Sequence, residues 1–197
     1  MPELYDVAAI GNAIVDVIAP CSEDFLVDQN LVKASMMLID DARAEELYAA
    51  MAPGMEASGG SAANTMAGVA SLGGRAAYIG KVAADQLGEV FTHDMNAIGV
   101  RFDVPPLRDG PATARCLINV TPDGQRTMST FLGASNRLTA HDVDPKIIEA
   151  SKITYLEGYL FDPSDAREAF VRAWSTRKSS LQGAITSTMA LPMAATS

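Results

Sequence analysis

Short apolar runs alternate with amphipathic segments along most of the chain. The apolar runs lie at residues 7–10, 13–19, 76–79 and 153–156. Amphipathic segments typical of helices occupy residues 42–51, 62–72 and 85–98, with Asp40-Asp41 and Asp85 as predicted caps. Parallel strands covered by helices on both faces have continuous apolar sequences. The pattern therefore predicts an α/β fold with a parallel sheet flanked by helices.

From residue 100 the pattern changes to short strand-like segments at 101–104, 113–120 and 126–131. The last two flank Thr121-Pro122-Asp123-Gly124, whose residue types favour a hairpin turn. We predict a small antiparallel sheet apart from the main one, with strands at about residues 14–40 and 100–131. This sheet could close over a cleft as a lid, or it could pair with a second copy in a homodimer.

The segment Ser58-Gly59-Gly60-Ser61 precedes a predicted helix of small residues that Gly73-Gly74 ends. Two glycines let the backbone approach a ligand closely, and the first free N–H groups of the helix would face that ligand. Asn64 in the first turn adds an amide. The simpler alternative is that this corner only turns the chain into a helix whose N-cap is Ser61.

Polar side chains interrupt or follow the predicted strands. Asp16 lies inside an apolar run, and an unpaired dry carboxylate costs on the order of several kcal/mol. It must reach water, a cation or hydrogen-bond donors, or it lies on the wet face of a half-exposed strand. Glu157 follows the strand at 153–156, at the end where α/β sheets bind ligands. A polyhydroxylated ligand could be held by a polar set comprising Asn12, Asp16, Gly60, Ser61, Asn64 and Glu157.

Composition excludes several classes of partner. The chain has 197 residues, 48% of them hydrophobic, and a net charge of −9, which argues against nucleic acid as a partner. We expect no membrane association, because no apolar run approaches the length of a membrane span. The acidic N-terminus lacks a signal sequence, and the two cysteines are too few for a disulfide framework. A cytoplasmic location is the expectation.

Motifs of several enzyme classes are missing from the sequence. It contains no GxGxxG after the first strand, no P-loop and no nucleophile elbow. The spacing of Cys, His and carboxylates predicts no metal site, and His93 and His141 are isolated. The residues alone therefore predict a binding site without catalytic residues.

Four phrases, in the same order, resemble the PfkB carbohydrate kinase family, and within it bacterial adenosine kinases and ribokinase-like sugar kinases. They are Gly11-Asn12-Ala13-Ile14-Val15-Asp16-Val17, Ser58-Gly59-Gly60-Ser61-Ala62-Ala63-Asn64, Ile79-Gly80-Lys81-Val82 with Asp85 and Gly88, and Gly133-Ala134-Ser135. The resemblance implies a ribokinase-like fold with a small β lid. It also implies that Asn12 and Asp16 bind sugar hydroxyls and that Gly60, Ser61 and Asn64 line the same pocket.

By the same resemblance the full-length family uses ATP and Mg²⁺ to phosphorylate a primary hydroxyl of a nucleoside or sugar. The family's catalytic base, an Asp in a GAGD-type motif, and its ATP-binding region belong to the C-terminal half, and no such motif occurs here. We therefore predict the acceptor-binding half of a kinase, inactive alone. The alternatives are a non-catalytic polyol-binding remnant and a structural α/β domain.

The choice between adenosine and a bare sugar stays open, with adenosine favoured by overall likeness. A purine needs an apolar slot beside the sugar site, and the candidates are Met37, Leu38, Leu117 and Phe131. The likeness ends near Trp174. Residues 1–174 are interpreted as the N-terminal part of the kinase domain, and residues 175–197, which lack Asp and Glu, as a disordered or frame-shifted tail.

Overall fold

A computed structural model describes residues 4–180 and 189–190 of the chain. In chain order the elements are β1 (Tyr5–Ile10), β2 (Ile14–Pro20), α1 (Glu23–Asp28), β3 (Met36–Leu38), α2 (Asp41–Ala50), β4 (Met55–Gly59), α3 (Ser61–Ser71), β5 (Ala76–Ile79), α4 (Gln86–Ala97), β6 (Val100–Arg101), β7 (Ala114–Val120), β8 (Arg126–Phe131), α5 (Pro145–Glu149), β9 (Ser151–Glu157), α6 (Ser164–Ser180) and β10 (Met189–Ala190). Short 3-10 turns lie at Gly133–Arg137, Ala140–Asp142 and Gly158–Leu160.

The main sheet has the strand order β10-β9-β1-β5-β6, and all its pairs are parallel. Successive residues of β1 point to opposite faces. Ala8 and Ile10 pack with Phe170 of α6, whereas Ala9 packs with Met66 of α3. Both faces are therefore covered by helices, which explains the continuous apolar runs and confirms the predicted α/β class.

The second sheet has the strand order β3-β8-β7-β2-β4, and it is mixed, so the prediction of an antiparallel sheet is wrong. The pairs β7–β8 and β2–β4 are antiparallel, but β2–β7 and β3–β8 are parallel. The reason is that β2 and β7 belong to separate excursions from the main sheet and leave it in the same direction. Both roles predicted for this sheet, a lid or a contact between copies, stay predictions.

The predicted lid segment at residue 100 belongs elsewhere. Strand β6 pairs with β5 in the main sheet, where Val100 is opposite Ala76. The chain forms a β5–α4–β6 unit that Gly99 closes with a φ of 84°. The first residues of the predicted lid segment therefore complete the main sheet instead.

Helix boundaries follow the local sequence closely at two predicted caps. Asp40 accepts a hydrogen bond from the Arg43 N–H, and Asp85 accepts one from the Gly88 N–H.

Helix α6 continues past Trp174 to Ser180, so the segment predicted to be atypical begins as helix. The rest of the predicted disordered or frame-shifted tail lies outside the described residues, except for β10. Within the described ranges no helix is long and apolar enough to cross a bilayer.

Candidate functional site

The predicted site residues lie where β1, β2, β4, β9 and α3 meet. Glu157 ends β9 beside the end of β1, since Ile10 is opposite Leu156 in the register. Asp16 lies in the middle of β2, and Gly60 joins β4 to α3. The glycine corner therefore lies between the carboxyl edge of the main sheet and the mixed sheet.

Glu157 connects the end of β1 to the start of α3. Its side chain is buried, with the residue 2% exposed. Oε2 accepts a hydrogen bond from the Asn12 N–H at 2.6 Å, and Oε1 accepts one from the Ala62 N–H at 3.2 Å. Burial raises the pKa of Glu157, and hydrogen bonds from Asn12, Ala62 and the Ser61 hydroxyl oppose that rise. Glu157 thus fixes the backbone after β1 and the first turn of α3 relative to each other.

This arrangement corrects the predicted helix cap. The N-cap of α3 is Gly60, with a φ of 94°, and Ser61 is the first helical residue. No side chain of the cap residue accepts a helix N–H. The Glu157 carboxylate, from a strand far away in sequence, accepts the Ala62 N–H instead.

The glycines of the corner are required by close contacts. A Cβ on Gly11 would lie 2.3 Å from Glu157 Oε2, and one on Gly60 would lie 2.5 Å from the Asn12 carbonyl oxygen. A Cβ on Gly59 would lie 2.5 Å from the Asp16 carboxyl group. The Asp16 side chain therefore lies directly over Gly59, and this contact joins β2 to the corner.

Asp16 is half-buried and has a carboxylate without a donor. Burial raises its pKa, and the charge of Arg126 opposes that rise. Among the described residues no N–H or O–H donates a hydrogen bond to it. A carboxylate in this state can accept hydrogen bonds from ligand hydroxyls without first losing a protein partner.

The side chain of Asn12 is a second polar group without a partner among the described residues at the same corner. The residue is 3% exposed, and its side-chain Oδ1 is buried without a hydrogen-bond partner in the described part of the chain. Buried polar atoms normally have a partner, in the protein or in solvent. Asn64 and Ser61, in contrast, are exposed in the first turn of α3, where the Asn64 N–H donates to the Gly60 carbonyl at 2.9 Å. Convergence of Asp16 and Asn64 on one ligand stays a prediction.

The mixed sheet adds residues that sequence reasoning missed. Residues opposite one another in adjacent strands share a face of the sheet. The register gives a transverse line, here called the Asp16 row, of Ala57, Asp16, Cys116, Thr130 and Leu38. The neighbouring line on the same face, the apolar row, consists of Met55, Ile18, Ile118, Met128 and Met36.

Of the four residues predicted for a purine slot, Leu38 shares the face of Asp16. Leu117 is fully buried on the opposite face, where it packs with Val17 and Leu47 against the helices of this sheet. Met37 is next to Leu38 in β3, and Phe131 is next to Thr130 in β8. Because successive residues of a strand point to opposite faces, Met37 and Phe131 also point to the face opposite Asp16. Which of these candidates share a face with Asp16 can be known only from the register, because alternation along one strand does not say which of its two faces matches that of the next strand.

Comparisons with known proteins give one consistent family. The model of the pfkB family of carbohydrate kinases matches residues 6–189. The structure of an adenosine kinase from Sinorhizobium meliloti is 55% identical with a TM-score of 0.82, over 90% of this chain and 54% of that one. A probable sugar kinase from Rhizobium etli CFN 42 is 51% identical with a TM-score of 0.83, over 91% of this chain and 54% of that one.

Among curated proteins, fructokinase-2 of Solanum habrochaites is 28% identical over 132 residues, which are 66% of this chain and 40% of that protein. The chain therefore spans about half the length of the solved kinases and less of the fructokinase. The ribokinase-like fold and the family predicted from the four sequence phrases are confirmed, because the family match covers nearly all of the chain. This chain belongs to the pfkB family of carbohydrate kinases.

Proposed function

We propose that this chain is the acceptor-binding half of an ATP-dependent kinase whose acceptor is the primary hydroxyl of a nucleoside, with adenosine preferred to a bare sugar. The family supports a sugar or nucleoside kinase. The Sinorhizobium meliloti adenosine kinase is 55% identical and the Rhizobium etli probable sugar kinase 51%, so identity adds only a little support for adenosine, and the main support is the apolar row described below.

The observation that carries the proposal is the donor-free Asp16 carboxylate over Gly59. A carboxylate can accept from two neighbouring hydroxyls at once, which suits the vicinal diol of a ribose. Asn12 supplies a further acceptor, its unpartnered Oδ1. Glu157 has both oxygens engaged by backbone N–H groups, so its role is to position the corner.

The apolar row supports a nucleoside rather than a bare sugar. Ile118 is buried on this face, and Met36 and Met55 at the two edges are 57% and 64% exposed. An adenine ring is flat and apolar on its faces, and thioether and aliphatic side chains pack well against aromatic rings. A free hexose has no aromatic ring to pack on these residues, so the row would add more affinity for adenosine than for fructose.

Transfer of phosphate needs parts that the described residues do not form. Members of the family use ATP, generally with Mg²⁺. Phosphoryl transfer depends on positioning the γ-phosphate and neutralising its charge. The GAGD-type segment that would supply the catalytic base does not occur in this sequence, which spans 54% of the Sinorhizobium meliloti adenosine kinase. The chain by itself would therefore bind the acceptor and orient it without phosphorylating it.

Thermal unfolding of the purified chain with adenosine, fructose, ribose or ATP tests the proposal. A ligand at 100 times its Kd stabilises a protein by about 2.7 kcal/mol. We expect stabilisation by adenosine, less by ribose and none by ATP. Stabilisation by fructose and ribose alone would favour a polyol-binding remnant, and no stabilisation by any acceptor would favour a structural domain. ATP-dependent phosphorylation of adenosine by this chain would contradict its inactivity.

Two variants make the binding experiment specific. Asp16→Asn should weaken adenosine binding about tenfold or more, because hydrogen bonds to charged groups contribute about 1.5–3 kcal/mol. Met128→Gln in the apolar row should weaken adenosine binding and leave ribose binding unchanged. Met37→Gln is the matched control, because Met37 lies on the opposite face of the same sheet. Equal effects of the two methionine variants would count against the purine slot.

A further inference from the structure

Two of the family phrases contribute nothing to the acceptor corner. One is Ile79-Gly80-Lys81-Val82 with Asp85 and Gly88, and the other is Gly133-Ala134-Ser135. The first lies between β5 and α4, and the second follows β8 directly. The first phrase therefore follows a strand of the main sheet, and the second follows a strand of the mixed sheet.

Asp85 binds the start of β7 as well as the start of α4. Its Oδ1 accepts hydrogen bonds from the Gly88 N–H at 2.8 Å and from the Thr113 hydroxyl at 2.6 Å. Its Oδ2 accepts one from the Thr113 N–H at 2.8 Å. Thr113 is fully buried, and its Oγ1 also accepts a hydrogen bond from the Ala83 N–H at 2.9 Å. A helix cap would need only the first of these contacts.

Gly88 is required by the same cluster. A Cβ at this position would lie 2.1 Å from the Ala83 carbonyl oxygen and 3.1 Å from Thr113 Oγ1. The backbone of α4 can therefore approach Thr113 only if residue 88 is glycine.

The second phrase, Gly133-Ala134-Ser135, contacts Ala112, the residue before Thr113. The Ala134 N–H donates a hydrogen bond to the Ala112 carbonyl at 2.8 Å. Gly133 has a φ of 42°, and a Cβ there would lie 2.2 Å from the same carbonyl oxygen. A part-buried ion pair also joins the first phrase to the chain that follows the second phrase, since Lys81 Nζ lies 2.6 Å from Asp142 Oδ1 in the 3-10 turn at Ala140–Asp142.

We propose that these two phrases form one clamp, consisting of Asp85, Gly88, Thr113 and Gly133, that fixes the β7–β8 hairpin to the main domain. Strand β7 begins immediately after Thr113, and β8 ends just before Gly133, so the clamp holds both ends of the hairpin. The hairpin carries Cys116 and Thr130 of the Asp16 row. Asp85 and Thr113 are thus positioning residues, which hold that row against Asp16 without touching the acceptor.

Hydrogen exchange of the whole chain, followed by mass spectrometry, tests the clamp. In Asp85→Asn one acceptor oxygen becomes an NH₂ group, although Asn is also a good helix cap. Thr113→Val keeps the shape and removes the hydroxyl. Loss of one such hydrogen bond should accelerate exchange in β7 and β8 about five- to tenfold. Exchange in β1 and β5 should not change.

Two controls keep the result specific. Thr113→Ser retains the hydroxyl and should retain the protection of the wild-type hairpin. Asp144→Asn makes the same chemical change at the cap of α5, where Asp144 accepts the Lys146 N–H within its own helix. Helix α5 packs against the main sheet, so this variant should leave β7 and β8 unchanged. Unchanged exchange in the hairpin of Asp85→Asn and Thr113→Val, or equal acceleration throughout the chain, would overturn the clamp.

The second measurement is the Kd for adenosine, and only this part depends on the proposed function. Asp85→Asn and Thr113→Val should weaken binding about threefold or more, because a hairpin that is no longer fixed at its ends holds the Asp16 row less precisely even when it is closed, while Thr113→Ser should bind as the wild type does. If the wild-type chain does not bind adenosine, the proposed function fails, but the exchange experiment still decides the clamp. Faster hairpin exchange with unchanged adenosine affinity would refute the positioning role.

Discussion

Glu157 illustrates how far a single residue can be understood from sequence. Its place after an apolar strand predicts that it lies at the carboxyl edge of a parallel sheet, and it does. What the sequence could not indicate is that its two oxygens are occupied, because the partner N–H of Asn12 is 145 residues away along the chain. Glu157, which the sequence offered as a ligand-binding residue, is therefore by its geometry a buried residue that fixes the backbone of the glycine corner.

The pH dependence of stability should reveal this burial. Glu157 has a raised pKa, so the folded state binds its proton more tightly than the unfolded state. Its contribution to the free energy of unfolding is therefore fully present at low pH. That contribution is lost as the pH rises from the ordinary glutamate pKa of 4.5 through the raised value.

We expect the wild type to lose stability relative to Glu157→Gln across this interval, measured by urea unfolding at a series of pH values. The difference between the two proteins isolates Glu157 from other carboxyl groups such as Asp16, whose pKa is also raised by burial. Glu149→Gln, at an exposed position on α5, controls for the loss of one surface charge. A constant difference between wild type and Glu157→Gln would show that the carboxyl group has no raised pKa.

At the scale of elements, local chemistry predicted the helices better than the strands. The caps Asp40 and Asp85 are signalled by residue type alone. Strand β4 was missed because Met55–Gly59 has no apolar period, and β6 was misassigned because it is only two residues long. These strands form because a neighbouring strand offers free hydrogen-bonding groups, which is tertiary information.

Helix α3 offers a matched pair of glycines for testing the corner. Gly60 has a φ of 94°, and its Cβ would collide with the Asn12 carbonyl, whereas Gly68 has open space around its Cβ position. Gly60→Ala should destabilise the protein by about 1–3 kcal/mol, the cost of a strained backbone conformation. Gly68→Ala should stabilise it by about 0.5–1 kcal/mol, because alanine favours a helix. Urea unfolding measures both.

The opposite signs of these two substitutions make the test discriminating. If Gly60→Ala had the same small stabilising effect as Gly68→Ala, the corner would not require its left-handed backbone. Adenosine binding by a folded Gly60→Ala protein should also be weakened, since the Asn12 carbonyl and the start of α3 must move apart to admit the methyl group.

At the scale of the whole molecule, the fold class and family could be predicted, but the relation between the two sheets could not. Periodicity tells which residues are buried in a strand, yet the parallel pairing of β2 with β7 depends on how two distant excursions of the chain align. The same pairing creates the Asp16 row. The neighbours of Asp16 in this row, Cys116 and Thr130, therefore come from β7 and β8, which are about 100 residues further along the chain, and no local sequence pattern connects them to β2.

A chimera can test whether this chain binds the acceptor while a separate C-terminal half carries out phosphate transfer. This chain covers 54% of the Sinorhizobium meliloti adenosine kinase. Joining residues 1–174 to the part of that kinase which they do not cover should give ATP-dependent phosphorylation of adenosine, with fructose a poor acceptor. At 55% identity the surfaces that meet should be compatible. The isolated chain should show no activity in the same assay.

Asp16→Asn in the chimera separates binding from transfer. If Asp16 holds the acceptor hydroxyls in the ground state and the transition state alike, its loss should raise KM and lower kcat/KM by the same factor, with kcat little changed. A fall in kcat alone would assign Asp16 to the transfer step and not to acceptor binding. An active chimera that is unaffected by Asp16→Asn would mean that the acceptor lies elsewhere, because no other described carboxylate on this face of the mixed sheet lies against the glycine corner.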